Sequence, residues 1–172
     1  MSLKKNIPKL ARHTTTGRFT DLDEDKLRGG YYTSSQVAAW LCSWAIQSPN
    51  DRVLEPSCGD GAFLEAAARR YAELGTRKST MAKNLMGVEI IASEAAHARH
   101  KLSSLLGTTS RDMVAATDFF EWWQETKQPA FDVVIGNPPF IRYQTFPEPH
   151  RGRAMAIMAA LGLSPNRLTN IW

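Results

Sequence analysis

Asn137-Pro138-Pro139-Phe140 puts two hydrogen-bond acceptors, two ring-locked residues and a flat aromatic face into four consecutive positions. The Asn137 side-chain carbonyl and the Pro138 main-chain carbonyl both accept, and neither proline brings a competing N–H. Such a pair suits an amine on an aromatic ring, a weak nucleophile because its lone pair is delocalised. Acceptors aimed at its two hydrogens hold the amine and raise electron density on nitrogen. The fixed φ of Pro138 and Pro139 makes the turn rigid before a substrate arrives. Phe140 offers a stacking face for a base rotated out of a duplex, worth roughly 1–3 kcal/mol. Taken alone, the four residues also read as a diproline turn closing a strand.

A second constellation lies upstream, in Glu55-Pro56-Ser57-Cys58-Gly59-Asp60-Gly61. Gly59 and Gly61 let a backbone approach a ligand with no Cβ in the way. The dinucleotide fingerprint would need a third glycine where Leu64 stands. Glu55 and Asp60 give the loop negative charge, the wrong sign for a pyrophosphate and the right one for an ammonium and a sulfonium. S-adenosylmethionine carries both. Glu89 closes Gly87-Val88-Glu89-Ile90 and reads either as an acceptor for two ribose hydroxyls or as a solvated strand end. Asp118 can accept from an adenine amino group, with Ile90 and Phe119 on the ring faces, or cap a short aromatic helix.

The elements that position these residues follow from changes of period. Thr33-Ser34-Ser35-Gln36 matches a T-x-x-Q capping box ahead of a helix whose apolar positions Val37, Trp40, Leu41, Trp44 and Ala45 share one face. Strands are expected over 52–55, 84–89, 113–116 and 131–135, the last a continuous apolar run suited to burial on both faces. Helices are expected over 62–74, ended by Gly75, over 93–106, with Gly107 at its C′ position, and in the aromatic cluster from Phe119 to Trp123. Alternating strands and helices predict an α/β fold, a doubly wound and mostly parallel sheet whose ligands sit beyond the strands' carboxyl ends. Every residue singled out above falls at such an end.

Composition narrows the function class. With 172 residues, 43% hydrophobic and 22% charged, the chain has the balance of one globular domain with a real core. Its longest apolar run, 37–46, contains Cys42 and Ser43 and is too short to span a membrane. No apolar h-region follows the N-terminal lysines, so no secretory signal is expected. Two cysteines, Cys42 and Cys58, suit a reducing, cytoplasmic setting. His13, His97, His100 and His150 lack partners at zinc-site spacing, and no metal is expected. The net charge of +4 is compatible with a polyanionic partner without requiring one. Residues 1–28 read as a polar arm, either loosely ordered or DNA-contacting, and Arg142, Tyr143, His150, Arg151 and Arg153 as a basic face, solvated or lying on a DNA backbone.

Taken in order, these motifs resemble the N6-adenine DNA methyltransferases of restriction-modification systems, amino methyltransferases whose cofactor motif precedes the catalytic one. Gly30-Tyr31-Tyr32-Thr33 is similar to their N-terminal motif, and Glu55 to Phe63 to their E-P-x-x-G-x-G-x-F loop. Glu89-Ile90 and Asp118-Phe119 match the ribose and adenine contacts, and Asn137 to Phe140 matches N-P-P-[YF], with phenylalanine where tyrosine is more usual. The resemblance implies a Rossmann-like S-adenosylmethionine-dependent methyltransferase domain over 29–172, incomplete at its C-terminus and without a target-recognition domain. It implies Tyr31, Thr33, Glu55, Pro56, Ser57, Cys58, Gly59, Gly61, Glu89, Ile90, Asp118 and Phe119 as cofactor contacts, and Asn137, Pro138, Pro139 and Phe140 as catalytic residues. The substrate implied is double-stranded DNA. Ribosomal RNA, transfer RNA and glutamine methyltransferases share the catalytic tetrapeptide, although their first motif resembles D-x-G-x-G. A remnant that binds cofactor without transferring methyl is a further alternative. In the fold so implied the fourth strand is paired on both sides. Its far edge is therefore expected to be open here, or covered by self-association, by residues 149–172 or by a partner chain, and the chain alone to have little activity.

Overall fold

Four short strands make one parallel sheet in the computed structural model of the protein, which describes residues 33–107, 109–125, 130–141, 143–166 and 169. The polar arm, Tyr31 and Arg142 lie outside the described residues. In chain order the elements are α1 (Ser35–Ala45), β1 (Val53–Glu55), α2 (Ala62–Glu73), α3 (Lys78–Asn84), β2 (Leu85–Glu89), α4 (Ala92–Leu106), β3 (Val114–Ala116), α5 (Phe119–Glu125), β4 (Val133–Val134) and α6 (His150–Ala160). The spatial order is β3-β2-β1-β4. Pairing Val53 with Leu85, Gly87 with Val114 and Leu54 with Val134 aligns the carboxyl ends of all four strands along one rim.

Alternation along the strands feeds two cores. Val53, Leu85 and Val114 turn toward α1, α2 and α4, joining Leu64, Ala67, Tyr71, Ala98 and Leu102. Leu54 and Val88 turn the other way, onto Trp122 of α5 with Phe119 and Phe131 beside it. Helices thus cover both faces, the doubly wound α/β arrangement expected of the sequence. Gly75 and Gly107 stop α2 and α4 in left-handed backbone, as their positions predict.

Four sequence expectations need correction. The cap of α1 is Ser34, whose hydroxyl accepts from Val37 N–H at 3.4 Å, so the Thr33–Gln36 box does not form. The buried face of α1 is Ala38, Cys42 and Ile46, with Leu41 and Ala45 half-buried beside it. Trp40 and Trp44 are 68% and 73% exposed. The reason is the closeness of α2: Cys42 Sγ lies 3.7 Å from the Phe63 carbonyl, which leaves room only for small side chains. The apolar periodicity of Val37, Trp40, Leu41, Trp44 and Ala45 thus pointed to the wrong face. Trp40→Ala and Trp44→Ala are accordingly expected to change stability by no more than about 0.5 kcal/mol each, measured by chemical denaturation. A loss of about 2 kcal/mol would mean that the tryptophans are buried in solution.

Third, Asn84, expected to open the second strand, instead ends α3, which anchors on the sheet through buried Met81. Fourth, the run 131–135 is not buried on both faces. Only Val133 and Val134 form ladder, Ile135 is buried, and Val134 is 64% exposed. No strand among the described residues pairs with the outer edge of β4. Residues 149–166, one expected cover for that edge, instead place α6 against α5. No helix among the described residues is long and apolar enough to cross a membrane.

Candidate active site

The rim brings the two constellations into contact. After β1 the chain turns through Pro56 and Ser57, and Cys58 N–H donates to the Val88 carbonyl at 2.9 Å, pinning the loop to β2. Gly87 permits this approach: a β-carbon there would stand 2.6 Å from Leu64 Cδ1 and 3.1 Å from Cys58 Sγ. Glu89, at the end of β2, completes the clamp. Its Oε2 accepts from Gly59 N–H and its Oε1 from Ile91 N–H, both at 2.8 Å. An ionised carboxylate has about four acceptor positions, so two remain for hydroxyl donors.

The two loop glycines do different work. Gly59 has φ +50° and nothing within 4 Å of where a β-carbon would be, an open face beside Glu89. Gly61 has φ +87°, and a β-carbon there would press to 2.9 Å from Ala98 Cβ. It lets the start of α2 lie against α4. Asp60 is held by Lys101 at 2.5 Å, so the negative charge read for this loop is partly answered from within the chain. Thr33 lines a hollow with Asp60, Ala62 and Lys101.

Glu55 is only 2% exposed, and its Oε2 has no hydrogen-bond partner among the described residues. Burial pushes its carboxyl well above the ordinary glutamate value; the Leu64 N–H opposes this, and the charges of Asp60 and Glu89 add to it. Cys58 and Cys42 are buried thiols, Cys42 pushed up to about 12 by burial and then by Glu55. Neither is a nucleophile at neutral pH. Gly136 touches Glu55 from the far side, where a β-carbon would stand 3.4 Å from Glu55 Cγ. The Asn137–Phe140 turn therefore leaves the sheet beside the Glu55–Gly61 loop.

In that turn Asn137 and Pro139 are half-buried and Pro138 is exposed. Ile141 N–H donates to the Pro139 carbonyl at 3.0 Å. Phe140 is 54% exposed, which leaves ring surface for stacking. Along the rim, Asp118 is buried and caps α5, its Oδ1 accepting from Glu121 N–H at 2.9 Å. Ile90, 53% exposed, and half-buried Phe119 follow Glu89 and Asp118 in the chain.

One neighbour went unnoticed in the sequence. His150 Nδ1 sits 3.0 Å from Asp118 Oδ2, an electrostatic contact at ion-pair distance without hydrogen-bond alignment. No spacing rule links residues 118 and 150; the aromatic chain Phe120–Phe146–His150 is what carries α6 there. The basic face expected around it is largely answered internally. Arg151 pairs with Glu148 at 2.8 Å and lies over the Tyr143 ring, and Arg153 pairs with Glu121 at 3.0 Å.

An acidic, glycine-bearing loop, two further carboxylates and an Asn-Pro-Pro-Phe turn thus share the carboxyl rim of a parallel, Rossmann-like α/β sheet. A profile of the N-6 DNA Methylase family matches residues 17–159, and the chain belongs to that family. It is similar to the type II methyltransferase M.BstVI of Geobacillus stearothermophilus, 30% identical over 114 residues, which span 55% of this chain and 20% of that protein. The type II methyltransferase M.XamI of Xanthomonas campestris pv. amaranthicola is 26% identical over 147 residues, 83% of this chain and 25% of that one. In fold the chain is similar to a modification subunit of a putative type I restriction enzyme from Vibrio vulnificus YJ016. There the TM-score is 0.53 and the identity 20%, over 70% of this chain and 27% of that one. The chain thus spans about a quarter or less of these relatives' lengths.

Proposed function

We propose that this chain is the cofactor-binding and catalytic part of an S-adenosylmethionine-dependent DNA methyltransferase of a restriction-modification system, acting on the exocyclic N6 amine of adenine. The observation that carries the reading is the gathering of four segments on one rim. Glu55 with its glycine loop, Glu89, Asp118 and Asn137-Pro138-Pro139-Phe140 follow four parallel strands in turn, in a chain of the N-6 DNA Methylase family.

The residues fit the cofactor. Gly59 leaves an open face, Glu89 keeps two acceptor positions for ribose hydroxyls, and Glu55 holds an unpartnered buried oxygen for a cation. Asp118 accepts the adenine amino group, with Ile90 and Phe119 against the ring, and Tyr31 and Thr33 complete the set. When bound, S-adenosylmethionine supplies a methyl group already activated on a sulfonium, so the chain has mainly to position the acceptor in line. The Asn137 and Pro138 carbonyls hold the two amine hydrogens while Phe140 stacks on a flipped base. Duplex DNA is the macromolecular substrate of this reading. Arg151 and Arg153 face Glu148 and Glu121 here, so they contribute less to its binding than their sequence positions suggest.

The test is titration of the chain with S-adenosylmethionine by calorimetry. Asp118→Ala is expected to raise Kd roughly tenfold, the worth of about one hydrogen bond. It should also cost about 1 kcal/mol of stability through loss of the α5 cap. Equal affinities, or no binding to a folded wild type, would remove the assignment.

A further inference from the structure

The three carboxylates around the cofactor loop differ in their company. Asp60 has the Lys101 ammonium at 2.5 Å, and Glu89 has the Gly59 and Ile91 N–H groups. Glu55 is the most buried, at 2% exposure, with Oε2 unpartnered among the described residues. From α2 it receives the Leu64 N–H; from the loop it faces Asp60 and Cys58, from β2 Glu89, and from α1 Cys42. Both thiols are held neutral by burial, and the residue approaching from β4 is Gly136, which carries no charge. Lys101 is committed to Asp60. Among the described residues the charges that act most on Glu55, those of Asp60 and Glu89, are negative, and a buried ion without a counter-charge is costly enough to take up a proton instead.

We propose that Glu55 is a proton-exchange site for the cofactor: the free chain keeps it as a neutral carboxylic acid, and entry of a positively charged ligand expels the proton to solvent, leaving a carboxylate paired with the ligand's charge. This rests on the S-adenosylmethionine reading above and adds its protonic coupling. The balance is one O–H bond of Glu55 broken, one proton released to water and one ion pair formed. The charge that Glu55 meets is the ammonium or the sulfonium. The sign follows from linkage: a complex that holds fewer protons than the free chain tightens as pH rises, by at most tenfold per unit. The rise ends where the free chain's Glu55 is already ionised.

The test is calorimetry of the 172-residue chain in two buffers of different ionisation enthalpy. A pH near 6.5 keeps the ligand ammonium charged, below the α-amino range of about 7.7–8.0. Three ligands separate the causes. S-adenosylmethionine has both charges, S-adenosylhomocysteine only the ammonium, and 5′-methylthioadenosine neither, while all three carry the same adenosine. Any proton exchange elicited by the shared adenosine appears with all three and cancels. The expected result is proton release with S-adenosylmethionine in excess of that with methylthioadenosine, shared by S-adenosylhomocysteine if the ammonium is the partner and absent from it if the sulfonium is. Glu55→Gln is expected to abolish the excess and to weaken S-adenosylmethionine at least tenfold more than methylthioadenosine. The wild-type comparison stands even if that variant fails to fold. Binding of S-adenosylmethionine with no excess release would overturn the proposal and leave the functional reading intact. A folded wild type that binds none of the three ligands would overturn both.

Discussion

Asn137→Ala is expected, on the function proposed above, to lower kcat for DNA methylation by roughly 10²-fold or more, the scale set by removal of one preorganised polar contact at a reacting centre. Cofactor affinity should stay within about twofold. The split follows from position. Asn137 leaves the sheet after β4, one residue beyond Gly136, which lies against Glu55. Its carbonyl is assigned to an amine that gains positive charge as its nitrogen takes the methyl, so the contact strengthens toward the transition state. Phe140→Ala should be milder and fall mainly on KM for DNA, because stacking holds the flipped base in ground and transition state alike. Single-turnover methylation, with cofactor binding measured alongside, checks both. Retention of more than a few per cent of the activity by Asn137→Ala would remove its role as amine acceptor. Equal losses in activity and cofactor affinity would make it a part of the cofactor pocket instead.

Some of this site was legible because its physics is local. A glycine that ends a helix, an aspartate that caps one and a diproline after a strand are fixed by backbone geometry over a few residues. Gly107, Asp118 and Pro138-Pro139 accordingly stand after the elements that the sequence implied. The parallel sheet was legible too, because strands alternating with helices leave few other topologies. What was missed depends on separation in sequence. The face that α1 buries is set by how near α2 comes, and nothing in 35–45 encodes that distance; two tryptophans on one side outweighed Ala38 and Cys42 on the other. β4 was over-read for a related reason: Val133, Val134 and Ile135 have the composition of an interior strand whatever lies beside them. Charge pairing was beyond reach as well. Lys101 neutralises Asp60 across 41 positions, and this, with its greater exposure, separates Asp60 from the buried Glu55, which the sequence presents as equivalent. The same limit hid His150 beside Asp118.

The second large effect separates two glycines that the sequence treats as one motif. Gly61→Ala is expected to destabilise the chain by about 2–5 kcal/mol. Left-handed backbone accounts for about 1–2 kcal/mol of this, and overpacking against α4 for about 1–3 kcal/mol more. At φ +87° a β-carbon would lie 2.9 Å from Ala98 Cβ and 3.0 Å from Ala98 Cα, so relief requires α2 and α4 to part rather than a side chain to turn. For a chain of this size the melting temperature should fall by on the order of 10 °C. Gly59→Ala has the strain without the collision, since nothing lies within 4 Å of its β-carbon site. Its stability should drop by only about 1 kcal/mol, because alanine also restricts the unfolded chain. The order reverses for ligand binding. Gly59 presents the open face beside Glu89, so a methyl there intrudes on the space assigned to the cofactor, and its Kd should suffer more than that of a folded Gly61→Ala. Thermal melts and calorimetry on both variants read out the crossed pattern, and Ala98→Gly provides the internal control. In the Gly61→Ala background it should recover part of the lost stability, while on its own it costs about 1 kcal/mol as a helix-interior glycine. If Gly59→Ala proved the more destabilising of the two, or Ala98→Gly rescued nothing, the close packing of α2 on α4 at Gly61 would be wrong.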